Sequence, residues 1–227
     1  MSTPQDDAVP PESARFRDPH QNYLTARAVP LDVAARAGLR SVDATGATQL
    51  LQRGRPLPCG GLAIPYPNAP TPYYRVRLDE PIDGARFLAP ARVEVPIYVA
   101  PGASDDISVP LYIVEGPIKA LALAAVGIAA LGLGGTGTTL TIKAGVRHLN
   151  DSWSAVPLAG REVTIVFDAG RRTNPNVARD EARLALALEQ AGAKVSLAEL
   201  PLATGGRDQG PDDYLARAGV EALRKRH

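Results

Sequence analysis

Two acidic residues stand where this chain can do chemistry. Glu115 directly follows the apolar run Leu111 to Val114, and Asp168 directly follows the β-branched run Val163 to Phe167. If both runs are strands of one parallel sheet, their carboxyl ends mark the crevice where such sheets hold ligands, at the point where strand order reverses. Two carboxylates facing each other there repel, so they need a divalent cation or a shared proton to stay together. The plainer alternative is that each caps the N-terminus of the helix that follows it. Lys119, Arg171 and Arg172 add a local basic cluster beside the acids. They either contact phosphates or neutralise Glu115 and Asp168 in salt bridges that contribute little at a surface. Arg75 and Arg77 alternate with Tyr74, Val76 and Leu78. With Tyr73 they form either a nucleic-acid-facing strand with tyrosines that stack on bases, or a solvated face opposite a buried one.

A third feature is Gly132-Leu133-Gly134-Gly135-Thr136-Gly137, which matches the dinucleotide fingerprint G-x-G-x-x-G. Its glycines follow the second strand rather than opening the first unit, and Asp168 lies about ten residues later than the ribose-binding acid should. As a Walker loop it fails, because Thr138 stands where lysine is required. The string reads as a tight turn bordering the acidic crevice. His148 reads as a surface residue, Trp153 as packing, and Cys59, beside Gly60-Gly61, as a turn residue with no His and acid to activate it.

The elements that must position these residues follow from periodicity and punctuation. Residues 1–19 are polar and proline-bearing and predict a flexible arm. Apolar positions from Tyr23 to Leu39 predict two short helices joined at Pro30 and stopped at Gly38, with another turn over Gln49 to Gln52. From Pro56 to Pro101 the chain breaks into short strands (Leu62 to Tyr66, Tyr73 to Leu78, Arg86 to Ala89, Ile97 to Val99), the pattern of a small antiparallel sheet with edge strands. Residues 20–108 thus make an α+β region that ends at the polar break Gly102 to Ser108. Beyond it, residues 109–227 alternate strand and helix: strand Leu111 to Val114, helix Pro117 to about Val126, strand Ile128 to Leu133, and a weakly helical stretch Thr139 to Asn150. Strand Val163 to Phe167, a helix capped by Asn174-Pro175 and ended at Gly192, strand Lys194 to Leu200 and a last helix from Asp212 complete the series. This alternation predicts an α/β domain, a mostly parallel sheet of about four strands with helices on both faces.

Composition limits the function classes. The chain has 227 residues, with 25 Lys and Arg against 24 Asp and Glu, so any nucleic-acid site must be local rather than a global basic field. A single cysteine excludes an internal disulfide framework and a cysteine-based zinc site, and suits a reducing, cytoplasmic setting. Residues 1–11 have no secretory pattern, and the apolar stretch Ala120 to Gly135 is too short, and too broken by Gly127, to span a membrane. Its Ala and Arg usage is that of a GC-rich bacterial genome.

The motifs taken in order resemble a family. Glu115-Gly116-Pro117-Ile118-Lys119-Ala120 after an apolar strand looks like the first signature of Toprim domains, which occur in primases, topoisomerases and some nucleases. More closely, it resembles the Toprim-like domain of uncharacterised function in phage and plasmid primase–helicase proteins. The similarity extends to Val163 to Asp168, Asn174-Pro175, Gln190 to Val195 and Gly210-Pro211-Asp212-Asp213-Tyr214-Leu215. Upstream it takes in Gly61 to Tyr66, Tyr74 to Leu78, Tyr23-Leu24 and Arg27. It covers about residues 20 to 220.

The resemblance implies that Glu115, with Lys119 beside it, serves phosphodiester chemistry as a general acid/base. It also implies that an Asp-x-Asp pair holds Mg2+, or Mn2+ in its place, which orients the phosphate and neutralises developing charge. The chain departs at the second aspartate, where Asp168-Ala169-Gly170 stands. Either Asp212 or Asp213 supplies the missing oxygen, or the site has become a binding surface. The expected function is a nucleic-acid transaction in replication or mobile elements: a primase-associated module acting on single-stranded DNA or RNA, with a helicase or polymerase partner and no membrane. The alternatives are a Toprim nuclease, a non-catalytic nucleic-acid-binding or interaction module, and a nucleotide-cofactor-binding protein.

Overall fold

The computed structural model describes residues 15–226 except 104, 137, 139, 144, 145 and 173. Two short helices lead, α1 (Asp18–Ala26) and α2 (Leu31–Arg36), then β1 (Arg40–Val42) and α3 (Ala44–Leu50). Pro30 is the N-cap of α2, and Gly38 turns the chain with a φ of 79°. Strands β2 (Gly61–Pro65), β3 (Tyr74–Ile82) and β4 (Ala85–Leu88) complete an antiparallel sheet of order β1-β2-β3-β4. Three of the four expected strands thus form the antiparallel sheet, with β1 added to it; the fourth, Ile97 to Val99, does not join it. Most of the predicted arm, residues 1–14, lies outside the described residues. Its end is no arm: Phe16 is buried, and Arg17 donates its backbone N–H to Ser41 Oγ at 2.8 Å.

The period of α1 decides what it presents. His20 and Leu24, four apart, are buried. His20 lies between Ser41 Oγ (2.7 Å from Nδ1) and Asp79 Oδ1 (3.0 Å from Nε2), and Arg17 bonds Asp79 at 2.9 Å. This polar pin ties α1 to β1 and β3. Tyr23 and Arg27, also four apart, are turned toward the rest of the molecule.

The second sheet contains β5 (Tyr98–Val99), β6 (Leu111–Val114), β7 (Ala130–Gly132), β10 (Glu162–Val166) and β11 (Lys194–Ala198), in the order β11-β10-β6-β7-β5. The first four in that order are parallel, and β5 closes the edge antiparallel to β7. The sheet is therefore mixed and five-stranded rather than four-stranded. Its outer strand comes from before the polar break, because Tyr98 pairs with Gly132.

Strand β6 is buried along its whole length and feeds two cores by alternation. Tyr112 and Val114 join a core with α4 (Pro117–Ala124), α6 (Pro211–Ala218), α7 (Val220–Arg224) and the N-terminal helices. Leu111 and Ile113 join a core with Trp153 and with Leu184 and Leu188 of α5 (Pro175–Gln190). Each fully buried leucine there contributes about 1.5–3 kcal/mol. Asn174 caps α5 by accepting from Asn176 N–H, and Gly192 ends it with a φ of 89°.

One expectation fails. Of the stretch expected as a helix, Thr139 to Asn150, the described residues pair instead as β8 (Leu140–Lys143) and β9 (Val146–Leu149), with Thr141 opposite His148, and 139, 144 and 145 lie outside the described residues. Thr141, Ile142 and Val146 are β-branched, and period-two alternation suits such residues better than a helix turn. Among the described residues no helix is long and apolar enough to cross a membrane.

Candidate functional site

Strands β6 and β10 are neighbours in parallel register, Leu111 with Val163 and Ile113 with Ile165. The chain crosses from β6 to β7 on one side and from β10 to β11 on the other, so the reversal point lies between them. Glu115 and Asp168 leave the two strands side by side, and Asp168 N–H donates to Glu115 Oε1 at 3.3 Å. Pro117 starts α4 with Gly116 as N-cap, which puts Lys119 in its first turn, four residues after Glu115. The Lys119 ammonium donates to Asp168 Oδ1 at 2.5 Å and to Glu115 Oε2 at 3.3 Å. The cation that the two acids require is thus supplied by the chain itself.

Asp212 completes the cluster from the first turn of α6. Its side chain is 1% exposed, Oδ2 accepts from Arg27 at 3.0 Å, and Oδ1 has no hydrogen-bond partner among the described residues. Burial pushes the carboxyl pKa of both Asp168 and Asp212 above the usual range, against the opposing pull of Lys119 on both and of Arg27 on Asp212. Burial alone would lower the Lys119 pKa, but Asp168 and Glu115 outweigh it and hold the ammonium charged. Gly210 is what lets these groups converge. A Cβ there would fall 2.5 Å from Asp212 Oδ1, 2.8 Å from Lys119 Cε and 2.9 Å from Asp168 Oδ1.

Beside Asp168, Gly170 packs against a carboxylate from a later loop. Asp208 Oδ1 accepts Gly170 N–H at 2.5 Å, and a Cβ at Gly170 would lie 2.5 Å from Asp208 Oδ2. A carboxylate from the loop after β11 therefore fills the volume that a side chain at 170 would take.

Opposite the acids stands a wall from the N-terminal region. Arg75 lies over the Phe87 ring, its guanidinium carbon 5.3 Å from the centroid. Together with Tyr23, Arg27, Lys119, Glu115, Asp168, Asp212, Gly134 and Gly135, this pair lines a crevice of about 370 Å3. Arg77 is not among the lining residues; it stacks on Tyr23 at 3.9 Å and orients that ring.

The remaining expectations divide. Asp213 is not in the cluster: its carboxylate accepts from Gly210 N–H at the start of α6 and from Arg27. Arg171 and Arg172 lie in a 3-10 turn directly after Asp168, and their side chains lie outside the described part of the molecule. Tyr73 is no stacking platform, since it is buried edge-on against Tyr66. Gly137 lies outside the described residues, Gly135 has a φ of 138°, and the other two glycines of the string have packing reasons. A Cβ at Gly132 would meet the Gly116–Pro117 backbone at 2.7–2.8 Å, and one at Gly134 would meet Val95 at 2.1 Å. His148 is exposed and Trp153 is buried, as expected.

Whether a divalent cation fits is decided by the donor set. Lys119 already occupies one oxygen of Glu115 and one of Asp168, and Arg27 holds one of Asp212. Among the described residues no group of three His, Cys, Asp or Glu side chains is arranged to hold a metal ion. An ammonium between the acids repels a second cation at the same place. With Lys119 and Arg27 bonded to them, the residues as placed do not fit Mg2+ or Mn2+; of the expected ligand set Glu115, Asp168 and Asp212 converge, and Asp213 stands apart.

Sequence reading did not single out Asp208, Gly210 or Phe87 for the site. The one available signal was that Gly210 opens the motif Gly210-Pro211-Asp212-Asp213-Tyr214-Leu215 and Asp208 lies two residues before it. Tyr23 and Arg27 entered only as part of a resemblance, although Arg27 reaches an acid 185 positions away.

Comparison with known proteins bears on fold and family. No curated protein matches in sequence. The structure is similar to the crystal structure of the Aquifex aeolicus primase (zinc-binding and RNA polymerase domains), with a TM-score of 0.63 and 15% identity. The match covers 92% of this chain and 55% of that one, so the chain spans about half the length of that primase structure. At this identity the likeness is one of fold, and it takes in the N-terminal region as well as the mixed sheet. A family model described as Domain of unknown function (DUF3854) matches residues 103–222, from the polar break through α6 to α7, and so covers every acid of the cluster. With more than half of its length matched, the chain belongs to the DUF3854 family.

Proposed function

We propose that this chain is a Toprim-like, primase-type module that binds single-stranded nucleic acid in the crevice between the β3 wall and the strand-end acids. On this reading it binds the strand without metal-dependent phosphodiester chemistry. One observation carries the proposal: Arg75 on Phe87, Arg27 beside Tyr23 and Lys119 converge on one crevice at the sheet's reversal point. Single strands are held by such a combination, cations for the backbone and rings for the bases. Lys119 and Arg27 offset the acids on the floor, and Arg75, over Phe87, adds a cation with no acid partner among the described residues. The primase fold supports the same assignment at the level of fold. The glycine string lacks a Walker lysine, so this reading gives unwinding to a helicase partner.

The test is fluorescence anisotropy of labelled single-stranded DNA and RNA at two salt concentrations. Arg75→Ala is expected to weaken binding about tenfold and to lower the salt slope by about 1. Absence of binding to either strand at low salt, or binding indifferent to both Arg75→Ala and Arg27→Ala, overturns the proposal.

A further inference from the structure

We infer that this site has exchanged a bound divalent cation for an internal one: the Lys119 ammonium neutralises Glu115 and Asp168, and the carboxylate absent at position 170 is supplied from the neighbouring loop by Asp208. The inference does not depend on whether nucleic acid binds in the crevice.

Three observations carry it. Lys119 Nζ touches both acids, at 2.5 Å and 3.3 Å, from a side chain only 16% exposed. It is a held group rather than a mobile surface lysine, because its stem is packed over Gly210. Next, a side chain at 170 displaces the Asp208 carboxylate from its present place. The Asp208 carboxylate would lie 2.5–3.2 Å from a Cβ at Gly170, and it is fixed by that residue's N–H. Glycine at 170 is therefore the partner of an acid at 208 rather than a simple loss. Finally, nitrogen donors hold both oxygens of Glu115 (Lys119 and the Asp168 N–H), Asp168 Oδ1 (Lys119) and Asp212 Oδ2 (Arg27).

The test is calorimetric titration of Mn2+ into the whole chain, with thermal melts in Mg2+ and Mn2+. Wild type is expected to show no saturable binding at millimolar metal and no rise in Tm. Lys119→Met keeps the stem and removes the charge; it is expected to gain Mn2+ binding, seen as a Tm that climbs with metal concentration. A Lys119→Met chain that folds only with Mn2+ present supports the exchange equally. Wild-type binding that Asp168→Asn abolishes overturns the inference, as does a folded Lys119→Met protein that gains no metal affinity. A second pair of variants tests the carboxylate and still decides if Lys119→Met does not fold. Gly170→Asp is expected to lower Tm by several degrees, and Gly170→Asp with Asp208→Gly to recover most of the loss. A Gly170→Asp protein as stable as wild type, or a double variant no better than the single, overturns the relocation.

Discussion

Two polar clusters in this molecule use similar ingredients to opposite ends. At the antiparallel sheet, His20, Ser41, Asp79 and Arg17 form a closed set: both ring nitrogens of His20 have partners, and Asp79 is held by Arg17 as well. Its residue types are those of a nucleophile triad. Yet His20 is 1% exposed and Ser41 Oγ already accepts a backbone N–H, so the cluster acts as a pin that fixes α1. At the carboxyl ends of β6 and β10 the accounts do not close. Three acids share one lysine and one arginine, one buried oxygen has no partner, and two carboxyl pKa values are raised. Satisfied buried polar groups stabilise a fold, whereas unsatisfied and perturbed ones mark sites kept for function. The pin also serves the site, because it sets the helix that brings Tyr23 and Arg27 to the crevice.

The largest effect that separates the two clusters is expected at Gly210. Gly210→Ala puts a methyl group within 3 Å of Asp212, Lys119 and Asp168 together. Overpacking of this kind costs about 1–3 kcal/mol, and here it also pushes the acids apart. Urea unfolding should show the loss, with weaker binding of single strands in the variant that remains folded. A protein unchanged in both respects would mean that the cluster is not as tightly set as its contacts require.

Next comes His20→Ala, which leaves Ser41 and Asp79 without their ring partner and is expected to cost about 1–3 kcal/mol. Its effect on the crevice should come only through a loosened α1. Restoring part of the pin with His20→Gln should therefore recover stability and strand affinity in parallel. If affinity falls while stability does not, the pin has a direct role in binding.

A change of pH sets the clusters against each other. Burial lowers the His20 pKa below its usual 6.5, with Arg17 adding to the effect and Asp79 opposing it. The unfolded chain then takes up a proton before the folded one, so this cluster loses stability as pH falls through 6.5 toward the folded value. The raised Asp168 and Asp212 work the other way. The folded chain protonates them first, so their penalty is present above the folded pKa values and is relieved as pH falls through them. Melts between neutral and mildly acid pH should therefore lose their downward slope in His20→Gln and steepen it in Asp212→Asn. Identical slopes in all three proteins would show that neither cluster controls the acid response.

How much of this was readable beforehand follows from sequence separation. Glu115 and Asp168 could be placed because each directly follows a strand run, and strand ends in a parallel sheet share one edge. The caps at Asn174 and Pro117 were equally local. The Lys119 bridge was open to expectation only as one of two alternatives, since four residues along a helix put Lys119 near Glu115 but say nothing of Asp168. Asp208 and Arg27 could not be placed. Their contacts join segments 38 and 185 positions apart, and only the packed fold brings them together. The hairpin at 140–149 was missed because a weak helical pattern was preferred over the β-branched alternation of Thr141, Ile142 and Val146.

The smallest expected effect sharpens the comparison most, because it separates two arginines of one strand. Arg75 lines the crevice, whereas Arg77, two residues on and on the same face, is spent on the Tyr23 ring at 3.9 Å. Arg77→Ala should cost only about 0.5–1 kcal/mol of stability, the strength of a half-exposed cation–π pair. It should leave the salt slope of strand binding unchanged, because no phosphate contact is lost. Arg75→Ala should do the reverse, with little change in stability and a shallower slope. If the two variants behave alike in anisotropy, β3 acts as a diffuse basic edge. The crevice would then lose its claim to be the place where the strand lies.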